Sequence, residues 1–222
     1  MLIYVLSTLI GALSGALINF CIAKMPREKQ LLKQQPALVI VLTVIAAIAS
    51  VTAFPLSAYP ITTVLVFAFC AVMVAVTFID FEFKIIPDKI TIPGIIIGLV
   101  LSVVSQFFHS LLPPFTQGIV DSLIGLAVGA GLPLLFIYLY YLLTKRVGFG
   151  MGDVKLLGMF GACLGWWPIL PIFFISSILG SIFGIAYILV TKKDRRAEIP
   201  FGPYLAVGAI IYLFVFQHGI SM

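Results

Sequence analysis

A chain of 222 residues in which 62% of side chains are hydrophobic and only 9% charged cannot cover a water-soluble surface, since soluble domains carry roughly 25% charged residues. The composition excludes a soluble globular enzyme and predicts an all-α, polytopic membrane protein of about eight transmembrane helices, residues 1–222 forming one domain because the apolar segments follow one another with short links. A formal charge of +5 would suit a nucleic-acid binder only if the basic residues covered a soluble face, and here they fall in short loops between apolar segments.

The first span is predicted at residues 2–22, with Gly11 and Gly15 in a small-xxx-small pattern that lets helices approach closely. No basic residue precedes it and no small-x-small cleavage site stands out, so it reads as a span rather than a signal peptide. Asn19 reads as an interhelical hydrogen-bond former. A basic loop, Lys24 to Gln35, leads to a second span at 37–54, a turn from Pro55 to Pro60, and a third span at 61–79 that ends at Asp80. The loop Phe81 to Lys89 carries Glu82, Lys84, Asp88 and Lys89. The fourth span, 91–108, opens on Pro93-Gly94, which predicts an irregular first turn.

An uncharged loop, His109 to Gln117, precedes a long glycine-rich fifth span at 118–143 with Asp121 near its start. Lys145 and Arg146 close it, and the glycine-rich loop Gly148 to Gly152 follows. The sixth segment, Asp153 to Trp167, is about 22 Å long as a helix, short of a hydrocarbon core of about 30 Å. It is therefore expected to start within the membrane plane or in a protein-lined recess. The seventh span is predicted at 171–190 and the eighth at 201–217, the latter opening on Pro200-Phe201-Gly202-Pro203. Cys21, Cys70 and Cys163 lie in or beside apolar segments without CxxC spacing and read as buried thiols; His109 and His218 are isolated and read as interfacial.

Eight spans put all 13 Lys and Arg residues on one side, in the loops at 24–33, 84–89, 145–155 and 192–196. By the positive-inside rule that face is cytoplasmic. Its basic loops can also touch anionic lipid headgroups. Asp80, Asp88 and Asp153 share this face. An ionisable group at the edge of hydrocarbon is costly to keep and marks a functional site. If Asp80 and Asp153 meet, two close carboxylates share one proton, a state suited to peptide hydrolysis: the ionised member activates a water while the protonated member polarises the scissile carbonyl. Gly150 and Gly152 let the backbone turn before Asp153 and let a substrate strand approach. A helix-capping aspartate after a plain loop remains the alternative for Asp153, and a cap is the stronger reading for Asp88 after Pro87. Lys155 either acts on Asp153 or on substrate acids, or is a lysine snorkelling at a helix end. Glu82, Asp88 and Glu198 can attract a basic substrate segment.

Three ordered blocks make the chain resemble the type IV prepilin leader peptidases, membrane aspartyl proteases of the GxGD type. The first runs from Ile79-Asp80 through Ile86-Pro87-Asp88-Lys89-Ile90-Thr91-Ile92-Pro93-Gly94, and the second from Gly150-Met151-Gly152-Asp153-Val154-Lys155 to Trp166. The third is Ile199-Pro200-Phe201-Gly202-Pro203-Tyr204-Leu205-Ala206; a weaker one spans Gly15 to Asn19 and Lys24-Met25-Pro26, with Lys where arginine is usual. The resemblance implies eight helices and a bacterial inner-membrane, multi-pass location. It implies cleavage, at the cytoplasmic face, of the basic leader of prepilins or pseudopilins serving a pilus or a secretion system. It assigns catalysis to Asp80 and Asp153, with Gly150, Gly152, Pro87, Asp88, Lys155, Pro200, Gly202 and Pro203 as supporting and substrate-binding candidates. Many relatives also methylate the new N-terminus with S-adenosylmethionine. The larger relatives carry a zinc-binding insert with two CxxC pairs after the first span; here that place holds only Lys24 to Gln35, so no metal is expected and methylation is left open. Proteolysis itself needs no cofactor, and no nucleic-acid partner is expected.

Three other readings use the same acids: a proton- or cation-coupled transporter, a noncatalytic assembly factor of a secretion system, and a Mg²⁺ site formed by Asp80, Asp88 and Asp153. No internal repeat supports the first, and no phosphate-handling motif accompanies the last.

Overall fold

The structure, a computed structural model, describes residues 2–23, 36–53, 60–107, 118–145, 150–191 and 200–216. These form eight α-helices: α1 (Leu2–Ala23), α2 (Pro36–Ala53), α3 (Pro60–Phe83), α4 (Asp88–Phe107), α5 (Ile119–Thr144), α6 (Met151–Leu164), α7 (Ile169–Thr191) and α8 (Gly202–Ile211), the last continued by a π-helical turn over Tyr212–Phe216. The all-α expectation holds. The loops Lys24 to Gln35 and 192–199, the turn at 54–59, Arg146, Gly148 and both histidines lie outside the described residues, as do the side chains of Asn19 and Cys21.

Apolar side chains cover the outside of the bundle. Leu13, Phe107, Phe174 and Leu189 are all mostly exposed, while Thr43, Thr62, Ser102, Ser122 and Ser176 are fully buried. That inversion is what lipid demands, because hydroxyls pack between helices and give their hydrogen bonds to backbone carbonyls. Ser176, for instance, donates to the Ile172 carbonyl at 2.6 Å. Four helices are long and apolar enough to cross a membrane: residues Ile61–Phe83, Asp88–Phe107, Ile119–Thr144 and Ile169–Val190. Shorter described apolar stretches lie in α1, α2 and α8. The chain is a multi-pass membrane protein.

Burial separates inner from outer helices. α3 buries 61% of its apolar window, against 22% for α4 and α5 and 17% for α7. The innermost element is α6. All of its residues from Leu156 to Leu164 are buried, and it packs against α4, α5 and α8. Its 14 residues span about 21 Å, too short to cross alone, so protein surrounds it in place of lipid. Small residues make this possible. A Cβ on Gly98 of α4 would lie 2.8 Å from the Ala162 backbone, and Gly125 of α5 faces Gly161 of α6 with backbone nearly against backbone. Ser122 of α5 then donates to the Ala162 carbonyl at 2.6 Å. The small-xxx-small pair of α1 works the same way: Gly11 and Gly15 receive the backbone of α2 around Ile40, Thr43 and Val44.

Two local expectations are corrected. α3 does not end at Asp80 but runs one turn further, to Phe83, where Lys84 (φ 53°) takes the left-handed conformation and donates its N–H to the Asp80 carbonyl at 2.9 Å. Nor does Pro93-Gly94 disturb the start of α4. The helix begins three residues earlier than expected, with the Pro87 carbonyl accepting from the Ile90 and Thr91 N–H groups. Pro93 lies inside it; at the sixth helical residue, its missing N–H frees only one carbonyl of the first turn.

Candidate active site

The Asp80 and Asp153 side chains arrive from separate helices at the same end of the bundle. Asp80 lies in the last turn of α3 and is 5% exposed; Asp153 lies in the first turn of α6 and is 8% exposed. The two carboxylates are close enough for the charge on one to act on the other. They are among the few charged groups the described residues bury, and a buried carboxylate persists only with hydrogen-bond donors around it.

Each carboxylate receives a backbone N–H from the start of a helix. Gly202, the first residue of α8, donates to Asp80 Oδ2 at 2.9 Å. That N–H belongs to the first turn of α8 and has no partner within its own helix. Pro203, next in line, has no N–H to leave unsatisfied, and sits buried in the same turn. Phe201 precedes it as the N-cap, with Pro200 before that. At the other carboxylate, Gly150 is the N-cap of α6 and its backbone N–H bonds to the Asp153 side chain. Asp153 is the third residue of the helix, so this is the arm of a capping box in which the side chain reaches back to the cap. Asp153 is therefore not the N-cap that the sequence offered as the alternative; Gly150 takes that place, and Asp153, two residues into α6 from Met151, turns its carboxylate back toward it.

Ile86 joins the two halves. It comes from the loop between α3 and α4 and is buried. A Cβ on Gly152 would lie 3.0 Å from the Ile86 Cβ, and a Cβ on Gly202 would lie 3.1 Å from the Ile86 Cδ1 and 2.6 Å from Asp80 Oδ2. One side chain thus stands between the loop that leads into Asp153 and the helix end that holds Asp80. Both glycines are needed because their neighbours leave no room for a side chain. Reasoning from residue chemistry passed over Ile86, since an isoleucine beside a proline carries no chemical signal. Only its place between two acidic blocks sets it apart.

The remaining candidates serve the rim. Asp88, in the first turn of α4, pairs with Lys155 of α6 at 2.6 Å. Lys155 therefore engages Asp88, not Asp153, and the pair ties α4 to α6 beside the carboxylates. With its acid so engaged, Asp88 is matched by a cation before any substrate arrives. The four described lysines, Lys84, Lys89, Lys145 and Lys155, all stand at this end of the bundle, and Asp121 stands at the other, packed against Gly165 at the end of α6. Among the described residues no three His, Cys, Asp or Glu side chains gather as a metal-ligand set, so Asp80, Asp88 and Asp153 do not converge in the way a Mg²⁺ site requires.

An all-helical membrane bundle with two buried, backbone-anchored aspartates at one end defines the class. Residues 67–185 match the type IV leader peptidase family, and the chain belongs to that family. Among curated proteins it is similar to a protein named prepilin leader peptidase/N-methyltransferase from Legionella pneumophila, 37% identical over 153 residues, 68% of this chain and 50% of that protein. Proteins of the same name from Aeromonas salmonicida (strain A449), 36% identical, and Pseudomonas aeruginosa, 32% identical, each match over 142 residues, 64% of this chain and 46% of theirs. The chain thus spans about half the length of the curated relatives it matches. No solved structure matches it.

Proposed function

We propose that this protein is an aspartic endopeptidase of the bacterial inner membrane that removes the short basic leader of prepilins or pseudopilins at the cytoplasmic face. Residues 1–222 act as one peptidase domain, with α1, α2, α6 and α8 joining the four long helices to make up eight membrane segments. The observation that carries this reading is the convergence of Asp80 and Asp153 at one end of the bundle, each fixed by one backbone N–H. The names of the relatives point to the same substrate class.

In the mechanism, Asp80 and Asp153 share one proton and bind a water between them. The ionised carboxylate takes a proton from that water as its oxygen attacks the scissile carbonyl carbon. The protonated carboxylate gives its proton to the carbonyl oxygen, which yields a neutral gem-diol. Collapse of the diol breaks the C–N bond. The carboxylate that took the water's proton delivers it to the leaving amine, the other recovers a proton from the diol hydroxyl, and the pair again holds one proton. The N–H groups of Gly202 and Gly150 orient the two carboxyls throughout. Gly152 and Gly202, without side chains, let Ile86 and the Asp80 carboxylate pack directly against the backbone at the site, and Pro87, Pro200 and Pro203 stiffen the segments that border it. Lysines 84, 89, 145 and 155 at this end of the bundle support a cytoplasmic orientation by the positive-inside rule.

The relatives are also named as N-methyltransferases. Methylation of the new N-terminus would use S-adenosylmethionine as a second substrate. Cleavage by the carboxylate pair needs no such group. Co-expression with a prepilin tests the whole reading. Leader removal appears as a gel shift, and mass spectrometry of the new N-terminus reads methylation separately. Unchanged cleavage by Asp80→Asn or Asp153→Asn overturns the proposal.

A further inference from the structure

α3 and α4 follow one another in the chain yet pack on different partners. α3 lies on α2 and α8, whereas α4 lies on α5 and α6. The space between them is a cleft of about 320 Å³. Phe69 and Val72 of α3 form one wall, Ile97 and Leu101 of α4 the other, and Met159 and Cys163 of α6 the floor. Lys89 stands at the mouth, exposed, and makes no ion pair among the described residues.

The dimensions select an occupant. From Lys89 to Leu101 the cleft follows α4 for about 18 Å, close to the share of one leaflet in a hydrocarbon core of about 30 Å. A partner's transmembrane helix would need a groove running through both leaflets, about 30 Å, whereas a single hydrocarbon chain of one leaflet matches the length of this apolar slot. Among the described lining residues the one charge is Lys89, at the headgroup end, which calls for an anion there.

We propose that the α3/α4 cleft is a binding site for an anionic phospholipid, one acyl chain lying in the slot and the phosphate resting on Lys89. The bound chain fills the gap that two unpaired spans leave, directly beneath the connection that carries Ile86. The site is independent of the peptidase chemistry and is tested without it.

The test is native mass spectrometry of the full chain in detergent, titrated with phosphatidylglycerol or with phosphatidylcholine of the same acyl chains. The wild type is expected to retain phosphatidylglycerol in preference. Lys89→Gln is expected to weaken phosphatidylglycerol retention about fivefold, as loss of one lysine near a headgroup does, and to leave phosphatidylcholine unchanged. Ala68→Phe, which projects a ring into the same slot, is expected to weaken both. Lys145→Gln, at the end of α5, is the control and should alter neither. Phosphatidylglycerol carrying a photoreactive acyl chain gives a second measurement on the unaltered protein: adducts are expected on α4 and α6 residues of the cleft. The proposal is overturned if neither Lys89→Gln nor Ala68→Phe differs from Lys145→Gln. It is overturned equally if the adducts fall outside the cleft, or if a peptide or a second copy of the chain holds it in place of lipid.

Discussion

Asp80 and Asp153 carry the same group to the same place by opposite means. Asp153 is held locally: its donor, Gly150, is three residues away, the N-cap of the helix whose first turn carries Asp153. Asp80 is held from a distance: its donor, Gly202, is 122 residues further along the chain and belongs to another helix. A local anchor forms whenever α6 forms. A distant one forms only when α3 and α8 are already packed. The second carboxylate is thus the more vulnerable, since any change that moves α8 releases it while leaving α3 helical.

The largest expected effect removes either acid. Asp80→Asn and Asp153→Asn should each lower prepilin cleavage by at least about 10³-fold, the scale of losing a positioned acid or base, with the protein still in the membrane. Wild-type cleavage should follow a bell-shaped pH profile, because only the singly protonated pair is competent: the rate falls at low pH as both acids protonate and at high pH as both ionise. A profile with one limb would mean that the two groups act separately.

A pair of alanines sharpens the comparison. A Cβ at Gly202 would stand 2.6 Å from Asp80 Oδ2, and one at Gly150 would stand 3.0 Å from Asp153 Oδ2. Gly202→Ala should therefore cost more, up to about 10²-fold in kcat, the scale of a catalytic group displaced by an ångström. Gly150→Ala should cost less, because its capping turn can adjust by itself. Equal losses, measured as initial rates at saturating prepilin, would refute the distinction between a local and a distant anchor.

Ile86→Ala tests the spacer between the halves. Deleting a buried aliphatic side chain costs about 2–5 kcal/mol in stability, and here it should also change the width of the pH optimum, as the two carboxylates lose the side chain that sets their separation. A stability loss with an unchanged pH profile would make Ile86 core packing only. The smallest effect is expected at the rim. Asp88→Asn or Lys155→Met breaks an ion pair whose members are 56% and 37% exposed, so stability should fall by no more than about 1 kcal/mol, or about 2–4 °C in Tm. A much larger loss would show that the α4–α6 tie holds Asp153 in place.

Much of this was legible in the residues. Apolar runs bounded by prolines and charges locate every helix to within a few residues, because a chain in lipid must satisfy its backbone within each segment. The shortness of α6 marks it as unable to cross alone, and among the described helices it is the innermost. The two aspartates stand out because charge is rare in such a chain. What misled was local in origin. Pro93-Gly94 looks like a break, yet a proline in the opening turns of a helix disrupts little. Asp80 looks like a helix end, yet nothing after it stops α3 before Lys84 turns left-handed. Lys155 sits beside Asp153 in sequence, but two residues along a helix point away from each other, and its partner proved to be Asp88.

Composition and spacing by themselves determined the class of protein, its helices and the end at which charge collects, since each depends on residues within one segment; the start of α6 did not follow, the helix beginning at Met151 with Gly150 as its cap rather than at Asp153. The tertiary structure alone decided that Gly202 anchors Asp80, that Ile86 parts the two acidic segments, and that α3 and α4 leave a slot between them. Those contacts join segments far apart in the chain, and no local pattern records which helix faces come together when the bundle packs.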